Sequence, residues 1–248
     1  MKVSVITTCL NSEKTITKTI LSVLSQDYSN VEYIIIDGGS KDDSINKIKK
    51  YADKINVIVS EKDDGMYYAM NKGIALASGE LIGILNSDDV FFHQNVISNV
   101  VESIKRNSSD CVYGDLIYCN EKGKVVRYWK SGSCNIKKFK FGWMPPHPTF
   151  FVKKNIYNNL GLFNVDFKSA ADYELMLRLL YRHKINASYV PEVLVKMQIG
   201  GKSNKSLKNR LIANLEDKKA WDVNNIKRPF YTQYLKPFLK IPQYLKKY

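Results

Sequence analysis

The chain has 248 residues, 44% of them hydrophobic and 25% charged, with a formal net charge of +14. That composition excludes global disorder, collagen-like repeats and low complexity, and a domain of this length buries enough surface to stand without staples. No apolar run approaches the ~20 residues of a membrane-spanning helix.

The opening Met-Lys-Val-Ser-Val-Ile-Thr-Thr is too short an apolar run for a signal peptide and reads as a first strand over residues 3–8. Ser12 is a candidate N-cap for a helix with Ile16, Ile20, Val23 and Leu24 on one face. Residues 31–36 predict a second strand, ended by Asp37-Gly38-Gly39-Ser40, and Asp42 to Tyr51 predicts a helix. Residues 55–59 predict a third strand. After the Asp63-Asp64-Gly65 turn, Met66 to Ala77 predicts a helix, and Leu81 to Leu85 a fourth strand stopped by Asn86-Ser87-Asp88-Asp89. Crossovers this short give parallel strands with helices on both faces, and such sheets bind ligands at the carboxyl ends of their strands. Thr8 and Asn11, Asp37, Asp64, and Asn86 to Asp89 all follow strand ends. Any one such loop is explained by Asp, Asn and Gly being turn formers; four aimed at one sheet edge are not.

The second half is less regular. A helix is expected at Ile97 to Lys105, strands at 111–118 and 124–129 around an Asn120-Glu121-Lys122-Gly123 hairpin turn, and a strand at 149–152. Trp143-Met144-Pro145-Pro146-His147-Pro148 is a loop stiffened by three prolines. Asp172 to Arg182 predicts a helix and 189–195 a late strand, followed by a basic, glycine-rich loop at 196–208 that reads as mobile. Cys9, Cys111, Cys119 and Cys134 are widely spaced without a CxxC, and His93, His147 and His183 are scattered. This argues against a zinc site or a disulfide framework and fits buried thiols in a reducing cytoplasm.

Charge divides the chain. Residues 1–89 carry 10 Lys+Arg and 13 Asp+Glu, a net −3, while residues 90–248 carry 28 and 11, a net +17. A basic half points to nucleic acid, an anionic membrane or a phosphorylated substrate. Residues 227–248 hold six Lys+Arg and no acid, interleaved with Phe230, Tyr231, Tyr234, Phe238 and Tyr244. Pro229, Pro237 and Pro242 break them into short pieces. Basic residues and aromatics of this kind suit the headgroup region of an anionic leaflet; the alternative is a solvated tail, or aromatics packed onto the domain.

In order, Val-Ser-Val-Ile-Thr-Thr-Cys-Leu-Asn, Tyr-Ile-Ile-Ile-Asp-Gly-Gly-Ser, Gly-Met-Tyr-Tyr-Ala-Met-Asn-Lys-Gly and Ala-Ser-Gly-Glu-Leu-Ile-Gly-Ile-Leu-Asn-Ser-Asp-Asp resemble the family 2 glycosyltransferases. Pro-Pro-His-Pro-Thr-Phe-Phe, Ala-Asp-Tyr-Glu-Leu-Met-Leu-Arg-Leu and Ile-Gly-Gly-Lys-Ser-Asn-Lys-Ser resemble the family's bacterial surface-polysaccharide branch. The resemblance implies the GT-A fold, an α/β, Rossmann-like, mixed but mostly parallel sheet with helices on both faces, followed here by a basic C-terminal helical extension. It divides the chain into a nucleotide-sugar-binding part (1–90), an acceptor-binding and catalytic part of the same domain (91–206), and the basic aromatic extension (207–248).

The same resemblance assigns roles. Asp37 matches the uracil-binding aspartate, and Thr8 and Leu10 flank the base, although the family often has an aromatic where Leu10 stands. Asp64 and Asn71 match positions near base and ribose. Asn86-Ser87-Asp88 occupies the Asp-x-Asp site for a divalent cation, Mg²⁺ or Mn²⁺, on the donor diphosphate. With Asn86 replacing the first aspartate, Asp88 becomes the principal ligand, Asn86 and Ser87 lie by ribose or phosphate, and Asp89 orients the loop or bonds the sugar. Asp172 matches the catalytic base of an inverting displacement; a plain helix-capping aspartate is the other reading. Asp115 and Glu174 stand next in line as base. His147 is a candidate for the diphosphate, the metal or the acceptor, and Lys202 for closing over the diphosphate, a solvated loop lysine being the other reading.

The implied activity is transfer from a nucleotide sugar, a UDP-sugar first, to a lipid-linked or oligosaccharide acceptor in lipopolysaccharide, O-antigen or capsule synthesis. The expected location is cytoplasmic, peripheral on the inner face of the plasma membrane. A catalytically weak membrane- or nucleic-acid-binding protein on a transferase fold is the competing reading. The acidic loops argue against nucleic acid, which the basic half alone would suit.

Overall fold

The β-branched runs of the N-terminal third become strands, and the apolar stripes between them become the helices that cover the sheet. The computed structural model describes residues 1–199, 207–232, 235 and 241–245. In chain order the elements are β1 (Val3–Cys9), α1 (Ile16–Leu24), β2 (Val31–Asp37), α2 (Ser44–Lys49), β3 (Val57–Ser60), α3 (Met66–Leu76), β4 (Leu81–Ile84) and β5 (Asp89–Phe91). Then come α4 (Val96–Asn107), β6 (Cys111–Cys119), β7 (Val125–Trp129), β8 (Phe151–Lys153), α5 (Lys154–Leu160) and α6 (Ala171–Met176). After α6 the chain continues as a π-helical stretch (Leu177–Arg182), followed by β9 (Ala187–Gln198), α7 (Leu207–Val223) and α8 (Pro242–Leu245).

The described strands form one sheet in the order β3-β2-β1-β4-β8-β6-β9-β5, with β7 on β6. The first four strands are parallel. β8 runs antiparallel to both β4 and β6, and β9 runs parallel to β6 and antiparallel to β5. β1 is buried on both faces, which is why its apolar run does not alternate with polar residues. Ile6, Ile34 and Ile36 pack on one side with Met70 and Ile74 of α3. Val3, Val5 and Ile35 pack on the other with Ile16, Ile20, Val100 and Ile104 of α1 and α4. Each such fully buried aliphatic side chain stabilises the fold by about 1.5–3 kcal/mol.

Several boundaries differ from expectation. Ser12 does not cap α1 with its side chain; its carbonyl accepts from Thr15 and Ile16 N–H (3.0 and 2.9 Å), and its hydroxyl meets Ser87 (2.7 Å). The expected 172–182 helix is α-helical only to Met176. β5 and α5 lie where no element was anticipated, because three residues are too few to show a period and the two turns of α5 carry only Ile156, Tyr157 and Leu160 as apolar positions.

The 207–248 extension is tied to the domain. Ala220 and Trp221 are fully buried, and the Trp221 indole donates to Tyr173 Oη at 2.9 Å. α8 lies on β7, where Arg127 Nε donates to Gln243 Oε1 at 2.7 Å and the guanidinium stacks over Tyr118, Trp129 and Tyr244. Tyr231 stacks on Phe141, while Phe230 is 80% exposed. Lys202, Tyr234 and Phe238 lie outside the described residues. The four cysteines are free. No described helix is long and apolar enough to cross a membrane.

Candidate active site

The carboxyl ends of β1, β2, β3 and β4 open on one edge, and their loops are laced together there. Asn11, held at φ 51°, donates its N–H to Ser40 Oγ (2.8 Å), while its side-chain oxygen accepts from Lys41 N–H (2.9 Å). Thr8 Oγ1 reaches Asn86 Oδ1 at 3.5 Å, and Ser87 N–H donates to the Thr8 carbonyl at 3.2 Å. Thr8, Asn86, Ser87, Asp88 and Asp89 are therefore one cluster.

Asp37 ends β2 fully buried. Its Oδ2 accepts from Ser40 N–H (3.1 Å) and Ser60 Oγ (2.7 Å), and its Oδ1 from Ser40 Oγ. Three donors leave room for one more on the carboxylate. Beside it is a cleft of ≈ 400 Å³ lined by Leu10, Asn11, Gly38, Gly39, Lys41, Lys62 and Asp63. Gly38 lets the Asp63 carboxylate come close: a Cβ there would stand 2.6 Å from Asp63 Oδ2, and the acid would have to turn away. Two sequence assignments shift. Asp64 is exposed and does not line the cleft; Asp63 does, because its Oδ1 accepts from Gly65 N–H at 3.0 Å and the turn this closes carries Asp64 outward. The Asn71 amide is taken up by one backbone unit, donating to Phe163 O (2.9 Å) and accepting from Phe163 N–H (3.0 Å). It ties α3 to the loop ahead of α6.

At the end of β4, Asp88 is half-buried and Asp89 fully buried. Asp89 Oδ2 accepts from Asn86 Nδ2 at 3.2 Å, and Oδ1 is buried without a hydrogen-bond partner. Burial, and next the charge of Asp88, hold the Asp89 carboxyl well above the usual carboxylate range. A buried carboxylate oxygen left unpaired beside a second carboxylate fits a hard cation. Among the described residues no three His, Cys, Asp or Glu converge, so the chain would supply one or two oxygens and the diphosphate and water the rest, the usual arrangement for Mg²⁺ or Mn²⁺.

Across the edge, Asp172 is the second residue of α6 and half-buried. It is not the cap; Ala170 is. Tyr67 Oη donates to Asp172 Oδ1 at 3.5 Å. Burial first, and then the Asp172 charge, hold the Tyr67 phenol well above its ordinary pKa, so it remains a donor. Phe163 stacks on Tyr67 (5.7 Å between ring centres) and meets the His147 ring edge-on (5.5 Å). Burial pushes the His147 imidazole down and the nearby Asp172 carboxylate pulls it up. The net direction is down, so the ring is neutral at neutral pH. The two reserve bases are otherwise engaged. Asp115 accepts from Tyr128 Oη, Ser131 N–H and Tyr189 Oη (2.6, 2.8 and 2.8 Å). Glu174 accepts from Arg178 and Asn224. Asp63 and Tyr67 were missed as site residues, although both lie inside or beside the quoted glycine-methionine-tyrosine motif.

The Glycosyl transferase family 2 profile matches residues 4–170. An uncharacterised glycosyltransferase of Mycobacterium tuberculosis is 32% identical over 192 residues, covering 71% of this chain and 68% of the relative. The PGL/p-HBAD biosynthesis glycosyltransferase of Mycobacterium bovis is 25% identical over 206 residues, covering 81% and 78%. Among solved structures, S. aureus TarS 1-349 in complex with UDP-GlcNAc superposes with a TM-score of 0.71 at 19% identity, over 95% of this chain and 69% of that one. The mannosyltransferase PcManGT from Pyrobaculum calidifontis in complex with GDP-Man and Mn²⁺ gives 0.68 at 17% identity, over 98% and 70%. The sheet, with its polar loops gathered at one edge, is thus the GT-A fold, and the chain belongs to glycosyl transferase family 2.

Proposed function

We propose that this glycosyltransferase moves a sugar from a UDP-linked donor to a hydroxyl of a lipid-linked saccharide, with inversion at the anomeric carbon, in bacterial surface-polysaccharide synthesis. The observation that carries the reading is the gathering of Thr8, Asn86, Ser87 and the buried Asp89 at the strand ends, next to the cleft beside Asp37, with the charges of Asp89 and Asp172 both bearing on Tyr118. In this reading the base lies in the cleft between Leu10 and Gly38–Gly39, with its imide N–H on Asp37. Asp63 lines the same cleft. Asp88 and Asp89 hold Mg²⁺ or Mn²⁺, which when bound neutralises the departing nucleoside diphosphate. Thr8, Asn86 and Ser87 shape the loop beneath the phosphates.

Asp172 takes the proton from the acceptor hydroxyl as that oxygen attacks. Tyr67 orients the Asp172 carboxylate through its hydrogen bond, and His147, neutral, borders the acceptor side. Lys202 is proposed to meet the diphosphate. The TarS complex with UDP-GlcNAc and the PcManGT complex with GDP-Man and Mn²⁺ support a nucleotide-sugar donor and a metal; the PGL/p-HBAD biosynthesis relative supports a bacterial glycosyltransferase of a biosynthetic pathway. The acceptor would keep the enzyme peripheral on the cytoplasmic leaflet, with exposed Phe230, Ile241 and Tyr244 among the basic residues of the tail. Thermal shift and metal-dependent hydrolysis across UDP-, GDP- and dTDP-sugars test it. Stabilisation by UDP-sugars in Mn²⁺ is expected; stabilisation by GDP-sugars alone would overturn the UDP assignment.

A further inference from the structure

Residues 161–170 deliver the chain into α6, and side chains from other elements grip both ends of this segment. At the start, Gly161 sits at φ +92°, and a Cβ there would stand 2.8 Å from the Arg178 guanidinium. Arg178 uses that space to donate to the carbonyls of Leu160 and Leu162, the latter at 2.6 Å. Asn71 holds Phe163 by both its backbone groups. At the far end, the carboxylate of Glu216 on α7 accepts three successive backbone N–H groups, from Lys168 (2.7 Å), Ser169 (2.8 Å) and Ala170 (2.9 Å). These are the last amides before the first turn of α6, which no side chain of its own caps.

The residues following Asp172 are tied to the same helix. Trp221, fully buried on α7, bonds Tyr173, and Asn224 just beyond α7 bonds Glu174 at 3.0 Å. The chain is therefore tied to α7 and the residue just after it on both sides of Asp172, through backbone amides at 168–170 and through side chains at 173–174. Charge-assisted hydrogen bonds from three consecutive amides to one carboxylate fix both the position and the direction of a loop. A base displaced by about 1 Å costs on the order of 10²-fold in rate. The family profile ends at residue 170, before Asp172 and before all of α7.

We infer that Glu216 is a positioning residue for the reaction: it sets the entry of α6 and through it the place of the Asp172 carboxylate. This rests on the reading of Asp172 as the base. Glu216→Gln keeps the shape and one acceptor oxygen and replaces the other with a donor, so it loosens the grip without emptying the site.

The test uses four full-length proteins: wild type, Glu216→Gln, Asp172→Asn and the double variant. The readouts are turnover of UDP-GlcNAc, or of whichever UDP-sugar stabilises the wild type most, the Kd for UDP in Mn²⁺, and amide hydrogen exchange at 168–170. Glu216→Gln is expected to lower kcat ~10-fold, to leave the UDP Kd within about two-fold, and to speed exchange at those amides. In the Asp172→Asn background the second change is expected to cost nothing further, because residues acting as a unit are non-additive. The same fold-loss in both backgrounds, or faster exchange with kcat unchanged, overturns the positioning role and leaves a merely structural tie. Wild-type kcat in Asp172→Asn alone overturns the base assignment first, and the positioning role with it.

Discussion

Replacing Asp37 with Asn separates two jobs held by one carboxylate. In the folded chain it locks the end of β2 by accepting from Ser40 N–H, Ser40 Oγ and Ser60 Oγ, out of contact with water. The amide of Asn keeps the shape. Its oxygen, placed toward Ser40 N–H and Ser60, holds both donors, and its NH₂ donates to Ser40 Oγ, whose own proton rotates away. Three charge-assisted bonds of ~1.5–3 kcal/mol thus become neutral ones of ~0.5–1.5 kcal/mol, a loss of about 3 kcal/mol before relaxation. For a chain this long that lowers Tm by about 6–12 °C. In the proposed nucleotide site the consequence is different in kind. The NH₂ now stands where the uracil imide N–H needs an acceptor, so two donors face each other, and affinity for UDP should fall by about 10²-fold or more. Melting without nucleotide reads the first effect, and calorimetric titration with UDP in Mn²⁺ reads the second. Ser60→Ala is the control: it removes one donor to the same carboxylate, lowers Tm less and leaves UDP binding intact. A lowered Tm with UDP affinity within two-fold of wild type would refute the nucleotide role and leave Asp37 as a strand-end lock.

Asp172→Asn should bind UDP normally while kcat falls by ~10² or more; normal transfer would move the base elsewhere. Asp88→Ala should abolish turnover and the gain in UDP affinity given by Mn²⁺, and wild-type activity unchanged in EDTA would contradict the metal assignment. At the opposite end of the sheet, burial pushes the Glu32 carboxyl up, but Lys2, Ser4 and Ser78 together bring it down to about 2 from 4.5. A carboxyl depressed on folding stabilises above its ordinary pKa, by up to ~3 kcal/mol here, and loses that contribution as pH falls from 4.5 through 2. Glu32→Gln should therefore lower Tm at pH 7 and flatten the acid limb of Tm against pH; an unchanged acid limb would contradict it. Full-length protein should co-sediment with anionic vesicles more than a chain truncated after Asn225, and equal binding would dispose of the tail as a membrane contact.

Much of this arrangement could be read from the residues alone, for a physical reason. A strand buried on both faces leaves a continuous β-branched run, and the loops that follow parallel strands fall on one edge whatever the rest of the chain does. Thr8, Asp37 and Asn86–Asp89 could be placed on that edge without coordinates. Asp63 and Asp64 could not be told apart, because which of two adjacent acids faces inward is decided by a single turn hydrogen bond to Gly65. Asn71 read as a ligand because its motif is a binding motif, yet its amide answers to Phe163, 92 residues away in sequence. Glu216 gave no signal at all: nothing in the sequence of its helix sets it apart from the neighbouring acids Asp217 and Asp222, and its three amide partners are defined only by the tertiary fold. The break from α- to π-helix after Met176 was equally silent, since the apolar spacing of Leu175, Met176, Leu179 and Leu180 suits either.

The sheet order has one more consequence. β4, which ends in the Asp88 loop, is hydrogen-bonded to β8, and β8 to β6, so the N-terminal strands and those of the second half share one uninterrupted ladder. The seam is tight as well: a Cβ on Gly83 of β4 would stand 2.2 Å from the ring of Phe151 on β8. Two lobes that share a ladder cannot swing apart like a clamshell. The β4–β8–β6 seam is thus a fixed part of the scaffold, and under the proposed reading donors or acceptors of different bulk have to be accommodated by the loops around the sheet edge, not by a parting of its strands.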